Sequence, residues 1–195
     1  MSPRQAQAFD WSARFAQLAA NSRDPRLQAY YRSGVPAADT PLGELPLLAL
    51  DVETTGLDPH EHAIVSLGLM RFDLRRIRCA DAPYWVVKPS SELSSESITF
   101  HHITHSDIRH APVLGQILDE LLTAMAGRVM VVHYRNIERG FLDQALLRHL
   151  GEGLSFPLID TMELEARLHP KRQPGWLGKL LGRQPTSSRL AASRL

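Results

Sequence analysis

The chain has 195 residues and a formal net charge of +1, and 44% of its residues are hydrophobic. This near-neutral balance excludes a general electrostatic attraction to nucleic acid, although charge can still be locally uneven. A single cysteine excludes an intrachain disulfide and a thiolate metal cluster, and no apolar stretch approaches the roughly 18 residues that span a bilayer. We therefore expect a soluble, cytoplasmic protein that does not enter a membrane.

Residues 1–45 are predicted to form a helical extension and linker. Apolar residues recur there at helical spacing in two stripes, namely Phe9, Trp11, Phe15 and Leu18, then Leu27, Tyr30 and Tyr31. We expect these side chains to dock on the rest of the protein, and the alternative is that they grip a partner. A Pro- and Gly-rich connector at 34–46 then leads into a second domain, predicted to cover 46–195.

Strands and helices alternate in a recognisable order beyond this connector. The patterns predict strands at 47–51, 63–74 and 82–89, a helix at 113–125, a strand at 128–133, a helix at 137–150, a strand at 156–160 and a helix that starts at Thr161. Short connections between the first three strands favour an antiparallel meander. The whole order predicts an α/β fold with a ribonuclease H-like mixed sheet flanked by helices.

The segment LALDVETTGLDP, residues 48–59, ends a predicted buried strand on two carboxylates. Asp51 and Glu53 are two residues apart and therefore face the same side of the strand, at the end where open α/β sheets place their sites. Paired carboxylates suit a hard cation such as Mg²⁺, which also binds substrate phosphate oxygens and waters. On spacing alone, an exposed turn or a helix cap is the more frequent explanation of such a pair.

This segment resembles the first exonuclease motif of the DEDD family of 3′–5′ exonucleases, which includes the proofreading epsilon subunit of bacterial DNA polymerase III. Further segments of similar sequence follow in the family's order: VSLGLMRF, FHHITHSDIRHAP, VVHYRNIERGFL and FPLIDTMEL. The resemblance covers about residues 47–194. It implies an exonuclease that acts on single-stranded 3′ ends with two Mg²⁺ or Mn²⁺ ions and that associates with a DNA polymerase. DNA is the expected substrate and RNA is the alternative, because a contact with the 2′-OH group cannot be read from the sequence.

The resemblance also implies roles for individual residues. It makes Asp51, Glu53 and Glu138 the catalytic metal ligands. It assigns contact with the terminal nucleotide to Thr54, Thr55, Gly56, Leu57, His101 and His133. Glu138 stands where the family has aspartate, and its longer side chain alters the metal spacing, so a glutamate on the surface of a helix is the alternative.

The sequence departs from the family pattern at other positions as well. His102 replaces the usual glycine, and Tyr134 replaces the usual asparagine. The family's third motif, a histidine followed five residues later by an aspartate, is expected beyond Leu195, because His169 is the last histidine and no aspartate follows it. We therefore expect a C-terminally truncated domain in which hydrolysis is impaired. The alternatives are a non-catalytic nucleic-acid-binding module and a polymerase-bound scaffold.

Three remaining signals have a structural and a functional interpretation. Asp160 matches a position that is not catalytic in the family, and we interpret it as a structural cap or strand-end residue. The histidine-rich loop at 101–110 could hold zinc, but no cysteine accompanies it. The segment 167–194 contains basic residues and no acid, and it is predicted either to be a solvated surface or to contact substrate phosphates.

Overall fold

The computed structural model describes residues 9–93 and 95–169. The chain divides into a larger unit, residues 1–160, and a smaller one, residues 161–195. In the described part of the smaller unit, Thr161–Leu168 is helical, as predicted. Most of the predicted basic tail lies outside the described residues, so its contact with phosphates stays a prediction.

Five strands form one mixed sheet in the larger unit. They are β1 (Leu47–Thr54), β2 (Ile64–Phe72), β3 (Tyr84–Val86), β4 (Val129–Val132) and β5 (Leu158–Asp160). The strand order is β3-β2-β1-β4-β5. Strand β2 is antiparallel to both β1 and β3, whereas β4 is parallel to both β1 and β5. This arrangement confirms the predicted meander and the mixed ribonuclease H-like sheet.

The described residues contain seven α-helices. They are α1 (Trp11–Asn21), α2 (Pro25–Arg32), α3 (Ser95–His101), α4 (His105–Ile108), α5 (Leu114–Met125), α6 (Arg135–Leu150) and α7 (Thr161–Leu168). Side-chain caps begin the first two: Asp10 accepts a hydrogen bond from the Ala13 amide at 2.9 Å, and Asp24 accepts one from the Arg26 amide at 2.9 Å. Among the described helices, none combines the length and the apolar character needed to cross a bilayer.

The pleat of β1 separates the hydrophobic core from the candidate site. Successive strand residues face opposite sides of the sheet. Leu48, Leu50 and Val52 belong to the main core, together with the apolar face of α5. Asp51 and Glu53 therefore face the other side, so the strand that anchors the fold also presents the two predicted carboxylates.

Two predicted elements differ from the structure. The third strand is shorter than the predicted 82–89, because the Lys88 amide donates to the carbonyl of Pro112 at 2.8 Å instead of continuing the pairing with β2. The periodicity did not predict two short helices: α3, which ends at the first residue of the histidine-rich loop, and α4, which lies within it. A local pair begins α4, in which the Asp107 carboxylate accepts the Thr104 amide at 2.7 Å.

The N-terminal helices pack on the sheet unit through aromatic side chains, which confirms the predicted docking. Phe15 is 2% exposed, and its ring centroid lies 5.5 Å from that of Tyr30 and 5.1 Å from that of Tyr31. The Tyr31 hydroxyl accepts the Ser155 amide at 3.1 Å. These side chains belong to the same hydrophobic core as the strand residues, so the residues on the two sides of the predicted boundary near residue 46 pack together.

We predict that Phe15→Ala lowers the free energy of unfolding by about 3–5 kcal/mol, because it removes a buried ring and leaves a cavity. Phe9→Ala is the matched control, since the Phe9 side chain is 63% exposed and its removal should change stability by less than about 0.5 kcal/mol. Chemical denaturation of both variants measures the difference. Equal losses for the two variants would contradict the shared core.

Candidate active site

A β-bulge lies beside the two carboxylates of β1. Glu53 pairs with Ser66 and Thr54 pairs with Ile64, so Val65 is an extra residue on β2. A bulge of this kind bends the strand and redirects its side chains. Val65 accordingly packs with Leu93 and Ile103 in a small cluster separate from the main core. The bulge thus shifts the register of β1 and β2 between Glu53 and Thr54, within the predicted site.

The turn after β1 is held by Thr55. Its side chain is 3% exposed, its hydroxyl accepts the Ala63 amide at 3.0 Å, and the same hydroxyl lies 2.8 Å from that of Ser91. The Thr55 amide in turn donates to the Ala63 carbonyl at 2.9 Å. These bonds engage Thr55 inside the protein, so its predicted contact with a nucleotide stays a prediction and its observed role is to shape the turn.

The neighbours of Thr55 are more accessible. Leu57 is 82% exposed, and the Thr54 hydroxyl donates to the Gly56 carbonyl at 2.6 Å. Gly56 has little room for a side chain, because a Cβ atom there would lie 2.2 Å from Cδ2 of His62. The turn therefore presents an exposed apolar side chain and a bare backbone next to the carboxylates.

Glu138 completes the predicted acidic set from the first turn of α6. It is 3% exposed, and its Oε2 atom has no hydrogen-bond partner. Burial raises the pKa of Glu138 to about 7, and the charges of Asp51 and Asp160 add to the shift, while the backbone amides of His133 and of Glu138 itself oppose it. The interpretation of Glu138 as an exposed surface glutamate is therefore wrong.

The acidic side chains couple through Asp51. Burial and the charge of Asp51 raise the pKa of Glu53, and Asp51 acts on Glu138 in the same direction. In the described part of the chain, no three His, Cys, Asp or Glu side chains are grouped closely enough to hold one metal ion. Mg²⁺ commonly binds only one or two carboxylates, with waters and substrate oxygens as further ligands. The pairs Asp51–Glu53 and Asp51–Glu138 can each supply that number of carboxylates.

Asp160 has the structural role predicted for it. It ends β5, is 8% exposed, and accepts the amides of Tyr134 and Arg135 at 3.1 and 3.0 Å. These are donors at the start of α6 that have no partner within the helix. Asp160 thus fixes the helix end from which Glu138 projects.

The predicted substrate-binding histidines lie on two different segments. His133 is exposed at the end of β4. Nδ1 of His101 accepts the Ile103 amide at 3.0 Å, so the proton of the neutral ring is on Nε2, which is buried without a partner. Burial and the charge of His102 lower the pKa of His101. The His101 ring is therefore a neutral hydrogen-bond donor.

The two departures from the family pattern coincide with unusual backbone. Among the described non-glycine residues, only His102 and Tyr134 have positive φ, at 60° and 83°. Glycine adopts this region freely and asparagine tolerates it, whereas other residues are strained by about 1–2 kcal/mol. Glycine and asparagine are the residues that the resemblance leads us to expect there. The backbone at both positions thus has the left-handed conformation that the family's glycine and asparagine adopt more easily than histidine or tyrosine do.

Sequence reasoning missed the contacts that join the turn to α6. The Arg148 guanidinium donates to the carbonyl of Pro59, and also to that of His62 at 3.3 Å. These residues are more than 80 positions apart in the chain, and no local pattern indicates their contact. Arg148 therefore positions the turn through tertiary packing alone.

Residues 48–188 match the model of the RNase_T family, an exonuclease family. The chain belongs to this family. The match includes the predicted acidic residues and the turn between β1 and β2, and the resemblance to DEDD-type 3′–5′ exonucleases is confirmed.

Two relatives of this exonuclease domain are bacterial polymerases. It is 29% identical over 130 residues to the PolC-type DNA polymerase III of Thermotoga maritima, and 32% identical over 142 residues to that of Oceanobacillus iheyensis. The matches cover 67% and 71% of this chain but only 9% and 10% of the relatives. The chain thus spans about a tenth of the length of these polymerases.

Solved exonuclease structures share its fold. Exonuclease X in complex with 5′ overhanging duplex DNA has a TM-score of 0.51 at 21% identity, over 72% of this chain and 78% of that one. The metal-free E. coli exonuclease I complex with single-stranded DNA has a TM-score of 0.57 at 12% identity, over 68% of this chain and 31% of that one. At these identities the likeness shows the fold alone.

We predict that Tyr134→Asn and His102→Gly each raise the free energy of unfolding by about 0.5–1 kcal/mol, because each relieves a left-handed backbone conformation. Tyr134→Ala is the control, since it removes the same side chain without supplying a residue that tolerates positive φ. Thermal or denaturant unfolding measures the three variants. A Tyr134→Ala variant as stable as Tyr134→Asn would show that backbone strain is not the cause.

We predict that stability in metal-free buffer falls as pH rises, owing to Glu138. The pKa of Glu138 is raised from 4.5 to about 7, so the folded state binds its proton more tightly than the unfolded state does. The associated stabilisation is complete below about pH 4.5 and is lost as pH rises through about 7. The loss should be of order 2–3 kcal/mol.

Denaturant unfolding between pH 5 and 8 measures this effect. Glu138→Gln should flatten the pH profile, because the amide does not titrate, and Glu61→Gln, which changes an exposed side chain, is the matched control. The assignment to Glu138 would be wrong if Glu138→Gln declined with pH as steeply as the wild type.

Proposed function

We propose that this exonuclease domain removes nucleotides from the 3′ end of single-stranded DNA. The observation that carries the proposal is geometric: Asp51 and Glu53 share one face of β1 beside an exposed turn, and the buried Glu138 carboxyl has an oxygen without a hydrogen-bond partner. Like charges held together favour a cation, and a cation stabilises negative charge on a phosphodiester. Further support comes from relatives named DNA polymerase III and from structurally similar exonucleases described in complex with DNA.

Mg²⁺ or Mn²⁺ is the proposed cofactor, held by Asp51, Glu53 and Glu138. The unpartnered Oε2 atom of Glu138 supports this assignment, because a buried carboxylate oxygen without a donor is costly unless a ligand completes it. When bound, a pair of such ions supplies Lewis-acid stabilisation of the attacking and leaving oxygens. To act as a ligand at neutral pH, Glu138 has to release its proton, which is consistent with impaired hydrolysis.

The remaining predicted residues are proposed to bind and orient the 3′ terminal nucleotide. The exposed side chain of Leu57 offers an apolar surface to a base, and Gly56 allows the strand to approach the backbone closely. His101 is proposed to shape the nucleotide pocket from the end of α3. Thr54 and His133 lie on the segments that lead to Asp51 and Glu138, where they can fix the sugar and phosphate.

Association with a DNA polymerase and a role in proofreading are proposed from the PolC-type relatives. In those proteins the matched segment is a small part of a much longer chain. An exonuclease that acts on single-stranded 3′ ends is suited to removing a mispaired terminus, since a mispaired end is more easily unpaired. A cytoplasmic location accords with this proposal.

A nucleic-acid-binding module without turnover is the second candidate function. One observation favours it: in the described part of the chain, no three His, Cys, Asp or Glu side chains are grouped closely enough to hold one metal ion. Such a module would keep the turn at 54–57 and its contacts with a strand end. It would bind DNA and leave it intact.

Cleavage of 3′-labelled single-stranded DNA distinguishes the two candidates. We expect slow cleavage that requires Mg²⁺ or Mn²⁺ and falls by about 10³-fold or more in Asp51→Ala, because the loss of metal stabilisation raises the barrier by several kcal/mol. Glu61→Ala, which removes an exposed carboxylate outside the proposed site, is the control and should retain activity. Binding without cleavage in either metal would refute the exonuclease proposal and support the binding module.

A further inference from the structure

A groove of about 480 Å³ adjoins the turn between β1 and β2 at His62, and the proposed mechanism makes no use of it. Its floor is apolar and includes Ile64, Val87 and Phe141. Its volume falls within the range of about 300–1,000 Å³ typical of small-molecule sites. A groove of this size suits one nucleotide better than a protein segment.

Basic side chains line this groove. They are His62, Lys88, Arg148 and His149, and none of the described residues that line it is acidic. Asp58 and Glu61 belong to the same turn but are not part of the lining. Cationic groups above an apolar floor match a phosphate joined to a base, since the phosphate seeks positive charge and the base seeks an apolar surface.

The walls of the groove are fixed by contacts within the protein. Arg148 donates to the carbonyls of Pro59 and His62, which joins α6 to the turn. The Lys88 amide donates to the carbonyl of Pro112 at 2.8 Å, which joins the segment after β3 to the start of α5. A groove held in this way needs little reorganisation when a ligand binds.

Two histidines at the groove pack closely on glycines. A Cβ atom on Gly56 would lie 2.2 Å from Cδ2 of His62, and one on Gly115 would lie 2.0 Å from Nε2 of His149. His62 is therefore shared between the groove and the turn that carries Gly56. A strand whose end lies on that turn has its next nucleotides within reach of the groove.

We propose that this groove binds a nucleotide of single-stranded nucleic acid on the 5′ side of the terminal residue. The inference rests on the proposed function, and it adds a second contact that selects a strand over a free mononucleotide. Lys88 and Arg148 provide positive charge for the phosphate, and the floor at Val87 and Phe141 receives the base. The groove thus contributes to affinity and processivity and takes no part in the bond that is cleaved.

Lys88→Glu tests the groove by reversing the charge of an exposed side chain. The matched control is Arg75→Glu, which reverses the charge of an exposed arginine. Arg75 follows the end of β2, and that end pairs with the start of β1, whereas the candidate site lies at the other end of β1. The probe is a 5′-fluorescein dT12 oligonucleotide in EDTA, where cleavage cannot occur, and fluorescence anisotropy reports binding. We expect Lys88→Glu to weaken binding about tenfold. We expect Lys88→Gln to make the slope of log binding constant against log salt concentration shallower by about 0.7, the value for one lost phosphate contact.

Each outcome of this test decides between the proposals. If Lys88→Glu and Arg75→Glu weaken binding equally, the groove has no special role and the inference is overturned, while metal-dependent cleavage that is lost in Asp51→Ala would still uphold the exonuclease. If the wild type does not bind dT12 at all in EDTA, the groove proposal fails, whereas the cleavage assay with Mg²⁺ or Mn²⁺ still decides the exonuclease proposal separately. Competition with dTMP is a third measurement. If dTMP displaces dT12 when the two are present at equal concentrations, the groove does not select a strand over a free nucleotide, and the inference is overturned.

Discussion

The repulsion among the carboxylates around Asp51 is the constraint on which the rest of the structure depends. Asp51 faces away from the core on β1, and burial, with the charge of Asp51 as a smaller contribution, raises the pKa of both Glu53 and Glu138. A sheet that only needed to be stable would not bury Glu138 beside another acid, because ionised groups in such surroundings are costly. The cost is consistent with a site whose acids are completed by a cation and a phosphate.

Much of the fold serves to hold these acids in place. Asp160 caps the start of α6, from which Glu138 projects. The N-terminal extension also contacts the first turns of this helix. The Arg139 guanidinium lies 5.6 Å from the ring centroid of Trp11, in the extension, and 5.6 Å from that of Phe156, just before β5. Such cation–π contacts contribute about 0.5–2 kcal/mol each. The extension therefore supports the site and is more than an addition to the domain.

The chain pattern predicted the sheet and its candidate acids well, because strand pleating and helical periodicity are local properties. It predicted β3 as too long, since the Lys88 amide turns away to bond Pro112, and it did not find the short helices of the histidine-rich loop. It also grouped Thr55 with the substrate-binding residues, whereas the bonds from Ala63 and Ser91 engage its hydroxyl inside the protein. The length of β3 and the bonds of Thr55 depend on residues outside the local segment, whereas α4 begins with a local pair, Thr104 and Asp107, that hydrophobic periodicity does not detect.

By itself the sequence determined the order of strands and helices, the shared face of Asp51 and Glu53, and the family to which the motifs belong, because each follows from spacing along a short segment. Only the tertiary structure decided that Glu138 is buried near Asp51, that His102 and Tyr134 adopt left-handed backbone, and that basic side chains from three segments line one groove. Burial, like-charge coupling and groove shape depend on which segments meet in space. These contacts between distant segments are determined by the packing of the whole domain, and a local sequence pattern does not predict them.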